Sequence, residues 1–188
     1  MTRAVLALAL LAAGLAYPFV VYAGLQGGGA RWIALPLAAL WLARALTAPS
    51  GQAGGRLLPA LALAFCLVLA FAEDPRWLLW YPVLINAGLC AVFGASLVRG
   101  MPAIERLARL GEAAAGRPDL PPSGVRYTRR VTQIWTVFFA LNGATAAALA
   151  LWAPARWWTL YNGCISYILI GVLIAGEWVV RPHARKAA

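Results

Sequence analysis

Residues Arg99 to Arg130 read RGMPAIERLARLGEAAAGRPDLPPSGVRYTRR. This is the only long polar segment in a chain of 188 residues, and long apolar runs stand on both sides of it. A helix needs about 20 consecutive apolar residues to cross a hydrocarbon layer about 30 Å thick, because it rises about 1.5 Å per residue. The flanking runs meet that length. The segment also carries seven of the sixteen basic residues: Arg99, Arg106, Arg109, Arg117, Arg126, Arg129 and Arg130. Reading outward from it predicts an all-α, polytopic transmembrane helix bundle and its orientation.

Composition agrees. Hydrophobic residues make up 63% of the chain and the mean hydropathy is +0.75, far from a soluble globular domain. The formal net charge is +10. The apolar runs leave no room for a nucleic-acid-binding domain, so the charge points to anionic lipid headgroups, worth about 1 kcal/mol per basic residue near the surface. Cys66, Cys90 and Cys164 all fall in apolar runs and form no CxxC. They read as small hydrophobes, with no disulfide framework, metal site or cofactor. The single histidine, His183, lies in the basic tail.

Six spans are expected, at 4–23, 31–46, 57–72, 77–98, 131–151 and 157–180, within one integral membrane domain covering 1–188. The second and third are short and suit a tight hairpin. Val21-Tyr22-Ala23 resembles a signal-peptidase site, but the preceding run of about 20 residues exceeds an h-region of roughly 7–15. The run is therefore expected to be retained. With the N-terminus inside, thirteen basic residues fall on the inner side and three (Arg31, Arg76 and Arg156) on the outer side. This obeys the positive-inside rule and places both termini in the cytoplasm of a bacterial inner membrane. Cleavage of the first run would leave those sides unchanged.

Tyr22, Trp32, Trp77, Trp80, Tyr81, Trp152, Trp157, Trp158 and Tyr161 gather at the outer ends, as an anchoring belt would. Ala87, Ala91 and Ala95, then Ala140, Ala144 and Ala148, repeat at four-residue spacing, and Gly171 precedes Ala175. Such stripes let helices approach closely in lipid, so spans four, five and six are expected to pack through them.

Few polar residues lie within the apolar runs. Asn86, Gln133, Thr136, Asn142, Asn162 and Ser166 should face one another, since an amide in hydrocarbon needs a partner. Glu177 is the only acid within an apolar run. Arg181 stands four residues on, with Arg129 or Arg130 as alternative partners. Glu73-Asp74-Pro75-Arg76 reads as a solvated turn.

Within the central segment, 101–115 reads as an amphipathic helix lying in the inner headgroup layer. Ile104, Leu107, Ala108 and Gly111 share its apolar face. Arg109 has Glu105 at i,i+4 and Glu112 at i,i+3. Gly116 to Gly124 is a turn-rich break.

The run Trp80-Tyr81-Pro82-Val83-Leu84-Ile85-Asn86, followed by Ser96-Leu97, Gly100-Met101-Pro102, Ile104-Glu105-Arg106, Leu120-Pro121, Tyr127-Thr128-Arg129, Trp135 and Phe138-Phe139, resembles a family of small bacterial inner-membrane proteins. That uncharacterised group is encoded beside ketosynthases, acyl carrier proteins and acyl ligases in aryl-polyene pigment clusters. More distantly, the order is similar to the intracellular septation protein A family. The resemblance covers roughly Glu73 to Arg181. Asn142 stands closer to the Phe pair than the septation family's asparagine, and neither family has an established catalytic residue to carry over.

No nucleophile elbow, P-loop, HExxH or dinucleotide fingerprint is present in the sequence. The expectation is a non-enzymatic protein supporting envelope or lipid-linked product assembly. Arg99, Arg106, Arg109, Arg126, Arg129 and Arg130 would bind anionic lipid or an acidic partner. The resemblance implies an acyl carrier protein or another envelope-assembly protein in that role. The alternative is a small transporter or channel, with Asn86, Asn142 and Asn162 lining a polar path.

Overall fold

The computed structural model describes residues 16–23, 31–47 and 74–186, with positions 12, 60, 62–64 and 66. Every regular element among them is helical. Residues 16–23 form α1 and Arg31–Thr47 forms α2. A 3₁₀ turn, Pro75–Trp80, leads into α3, Tyr81–Val98. Then come α4, Ala103–Ala114, and α5, Pro122–Trp152. The short α6, Ala155–Leu160, passes through a π-helical turn, Tyr161–Ile165, into α7, Ser166–Lys186.

Three stretches are long and apolar enough to cross a membrane: Arg76–Val98, Pro122–Trp152 and Ala155–Val180. They correspond to expected spans four, five and six. Most of the first and third expected spans lies outside the described residues. The second forms α2, whose 17 residues stand at the short end of the range for a spanning helix. The fifth helix begins nine positions before Val131. Its 31 residues extend roughly 46 Å, well beyond a hydrocarbon layer of about 30 Å, so basic turns such as Arg126 to Arg130 are continuous with the span.

The chain divides into two compact units, residues 1–88 with 142–167 and residues 89–141 with 168–188. The core of the first is Tyr17, Val21, Ala38, Cys66, Leu78, Leu79, Tyr81 and Trp158. Two expected belt residues are therefore core residues. Trp158 is 0% exposed and its indole N–H donates to Leu79 O at 3.1 Å. Tyr81 accepts from Trp41 Nε1 at 2.7 Å and stacks at 4.5 Å on Tyr17. The Tyr17 hydroxyl donates to Leu78 O at 2.6 Å. Both aromatic polar tips are satisfied by protein, so the amphipathic reason for a headgroup position disappears. Trp77, Trp152 and Trp157 remain exposed.

The small-residue stripes also turn the other way. Ala87, Ala91, Ala95, Ala140, Ala144, Gly171 and Ala175 are exposed, and Ala148 is half-buried. In the first unit the close approaches are instead at Gly143, where an added Cβ would stand 3.0 Å from Asn86 Cβ, and at Gly163, where it would stand 2.9 Å from Phe19 Cζ. Packing follows the polar residues, because a buried amide has more to lose by facing lipid than an alanine has.

In the second unit, α4 is fastened at both ends. Its first N–H groups have no partners within the helix. Ala103 N donates to Ser96 Oγ at 3.0 Å and Ile104 N to Thr132 Oγ1 at 3.3 Å. Gly100, at φ 87°, makes the tight return from α3. At the other end Gly116, at φ 64°, closes a Schellman motif: Arg117 N donates to Glu112 O and Gly116 N to Ala113 O.

Substituting Gly143→Ala should push Asn86 away and lower stability by about 1–3 kcal/mol, as overpacking does. Thermal unfolding in detergent would read this as a lowered midpoint. An unchanged midpoint would mean that the close approach is not a tight one.

Candidate functional site

The 99–130 segment folds back on itself within the second unit. Arg109 lies between two carboxylates. Its Nε and Nη2 both donate to Glu105 Oε1, at 2.9 and 2.8 Å, and its Nη1 donates to Asp119 across the loop. Arg117 Nε donates to Glu112 Oε2 at 2.5 Å. The expected Arg109–Glu105 pair is therefore present, while Glu112 turns to Arg117 and Asp119 takes its place at Arg109. Charge-assisted bonds of this kind are stronger than neutral ones. They seal the 115–121 loop against α4.

That fastening sets the helix's rotation. Glu105 and Glu112 are buried, whereas Leu107 and Leu110 are 61% and 55% exposed. The expected apolar face is split as a result. Ile104 and Ala108 turn inward while Leu107 and Gly111 face outward, joined there by Leu110. The helix turns its acids inward because the guanidinium groups that need them lie on that side.

The arginines expected to bind a partner do not stand alike. Arg109 is consumed internally and leaves the set. Arg99, Arg106, Arg126 and Arg130 make no ion pair among the described residues, and of these all but Arg106 are exposed. Arg129 Nη2 donates to Leu97 O at 3.0 Å and remains exposed.

Behind α4 is a cavity of about 280 Å³. Ile104, Ala108, Leu120 and Tyr127 line it, with Glu112 and Glu177 among its polar lining residues. Tyr127 Oη donates to the Glu177 carbonyl oxygen at 3.4 Å. The Glu177 carboxylate has no ion pair among the described residues, so neither Arg129 nor Arg130 is its partner. The Arg181 side chain lies outside them.

The intramembrane polar residues separate as well. In the first unit they form a directional chain. Tyr161 Oη donates to Asn142 Oδ1 at 2.9 Å, Asn142 Nδ2 donates to Asn86 Oδ1 at 3.0 Å, and Asn86 Nδ2 donates to Pro82 O at 2.8 Å. Asn86 and Asn142 meet as expected. Asn162 instead donates to Trp158 O in its own helix at 2.9 Å, and Ser166 to Asn162 O. In the second unit Gln133 is exposed and Thr136 bonds back to Thr132 O.

Sequence reasoning missed Tyr161 as part of the chain, Thr132 as a helix anchor and Asp119 as a clasp. Asp119 was legible in principle: a lone acid in a Pro-rich loop facing an arginine-rich helix needs a cation. No protein-family model matches this chain, and neither a curated protein nor a solved structure matches it.

Removing the central amide by Asn142→Ala deprives Tyr161 and Asn86 of partners and should cost about 1–2 kcal/mol. Asn162→Ala, which breaks only a bond within its own helix, should cost less. Unfolding midpoints of the two variants test that ranking, and equal losses would contradict it.

The Leu120 backbone N–H, at 2.8 Å, and the Arg109 guanidinium hold the Asp119 carboxyl below the usual carboxylate range. A depressed folded value means the clasp is complete at neutral pH and is lost only as pH falls through that value. A carboxyl-carbon NMR titration should put the Asp119 midpoint below about 3.9, the unperturbed value. A midpoint at or above it would remove the clasp.

Proposed function

We propose that this chain is a non-enzymatic protein of a bacterial inner membrane, with six spans and both termini in the cytoplasm. It supports envelope or lipid-linked product assembly by presenting the 99–130 segment to anionic groups. The observation that carries this reading is the uneven use of arginine. Arg109 and Arg117 are spent on carboxylates of the same segment, while Arg99, Arg126 and Arg130 stand exposed without one among the described residues. Unpaired exposed guanidinium groups favour phosphates and acidic protein surfaces, through bidentate geometry and long-range attraction.

In this reading α4 lies at the headgroup layer. Leu107 and Leu110 form the inserted side and the neighbouring arginines meet lipid phosphates. An acyl carrier protein, small and acidic, has the charge to dock on the same arginines. The resemblance to proteins encoded beside acyl-carrier genes favours that partner over other acidic proteins.

The closed hydrogen-bond chain through Asn86 and Asn142 favours helix fastening over a polar transport path. Each amide is already bonded to protein, and each such bond contributes about 0.6 kcal/mol in a bilayer.

The test is co-purification with the neighbouring acyl carrier protein, together with lipid retention by native mass spectrometry. Reversing charge in an Arg126→Glu, Arg130→Glu double variant should abolish carrier binding and reduce retained phosphatidylglycerol. Arg76→Gln, an exposed arginine outside the 99–130 segment, should leave both largely intact. Undiminished binding by the double variant would overturn the reading.

A further inference from the structure

The cavity behind α4 gathers acids in a basic chain. The chain has +10 net charge and only six acids. Three of those acids, Glu112, Asp119 and Glu177, line this one space against a single guanidinium, Arg117. Its remaining wall is mostly apolar, built by residues that include Ile104, Ala108, Leu120 and Tyr127. All of it lies within one compact unit.

The carboxylates are not equivalent. Glu112 is held by Arg117 and Asp119 by Arg109. Glu177 has no ion pair among the described residues, which leave out the Arg181 side chain four positions on. It stands in α7, within a stretch apolar enough to span a membrane. A carboxylate in such surroundings is costly unless something cationic accompanies it. Among the described residues no group of three acids, histidines or cysteines is gathered to hold a metal ion. A compact inorganic ion would also leave the apolar wall uncovered. A tyrosine and an acid lining one partly apolar space suit an organic ammonium group, by cation–π attraction and charge-assisted hydrogen bonding.

We propose that this cavity binds an organic ammonium group carried on a small apolar body, with Glu177 as the charge partner and Tyr127, Ile104, Ala108 and Leu120 enclosing the body. At about 280 Å³ it approaches the volume of small-molecule pockets, which begin at roughly 300 Å³. The same chemistry is offered by a soluble amine and by the ethanolamine headgroup of a phospholipid. The proposal does not rest on the arginine surface, which lies on other side chains.

The probe is phenethylamine, with 3-phenylpropanol and 3-phenylpropionate as neutral and anionic counterparts. Binding to the full chain in an uncharged detergent is read by equilibrium dialysis. The amine should saturate one site and bind at least about tenfold more tightly than either counterpart, since charge-assisted bonds exceed neutral ones. Glu177→Gln should weaken the amine about tenfold and leave the alcohol unchanged. Ala108→Leu, which fills the cavity without touching charge, should weaken both, and both variants should keep the wild-type unfolding midpoint within a few degrees.

Nanodiscs separate the sources. If the headgroup is the natural occupant, phosphatidylethanolamine discs suppress phenethylamine binding and phosphatidylglycerol discs do not. If a soluble amine is, both discs bind it alike. Equal binding of the three probes, or amine binding untouched by Glu177→Gln and Ala108→Leu, would overturn the proposal.

Discussion

The Thr132 hydroxyl is fully buried and carries two hydrogen bonds at once. It donates to Thr128 O in its own helix at 2.8 Å and accepts from Ile104 N at the start of α4. The constraint it answers runs through the whole chain: in an apolar setting a polar group without a protein partner is expensive. Among the described residues no buried side-chain nitrogen or oxygen lacks one. Thr159, Asn162 and Ser166 bond back one turn to Ala155 O, Trp158 O and Asn162 O respectively. Thr132 differs because its hydroxyl oxygen also accepts from another helix, through one of its lone pairs. That lone pair ties α4 to α5, and the placement of the charged loop follows.

Once α4 is pinned at Ile104, its acids face the guanidinium groups and its leucines face away. This inverts the ordinary surface helix, which hides apolar side chains and shows charged ones. The inversion is stable because each buried carboxylate has a cation: Glu105 pairs with Arg109, and Glu112 with Arg117. Burying one member of such a pair alone would cost several kcal/mol. The segment thus sorts its arginines into those paired with its own carboxylates and those with no ion pair among the described residues, and it lines the acidic cavity.

Much of the architecture was legible in the chain. Apolar length located three helices long enough to span a membrane, and the need of a buried amide for a partner brought Asn86 to Asn142. The break expected over Gly116 to Gly124 ends at Pro121, because Pro122 starts α5. The packed faces were not legible. In α3 nearly every side chain is apolar, so periodicity carries almost no information about which side meets protein. The alanine stripes suggested one face and the close approach of Gly143 to Asn86 took another. Trp158 and Tyr81 were misplaced for a related reason: an indole or phenol near a helix end looks the same in sequence whether its tip meets headgroups or a carbonyl such as Leu79 O.

The chain alone determined which stretches are long and apolar enough to cross a membrane, because apolar length acts locally, though not the start of α5. It also determined that few charges would be available, since only six acids accompany sixteen basic residues. The tertiary structure alone decided which arginines are spent and which are free. It also decided which helix faces pack and that three acids share one cavity. Those outcomes depend on distances between side chains far apart in sequence, such as Ile104 and Thr132 or Arg109 and Asp119. An ion pair or hydrogen bond forms only where such distances fall to about 3 Å.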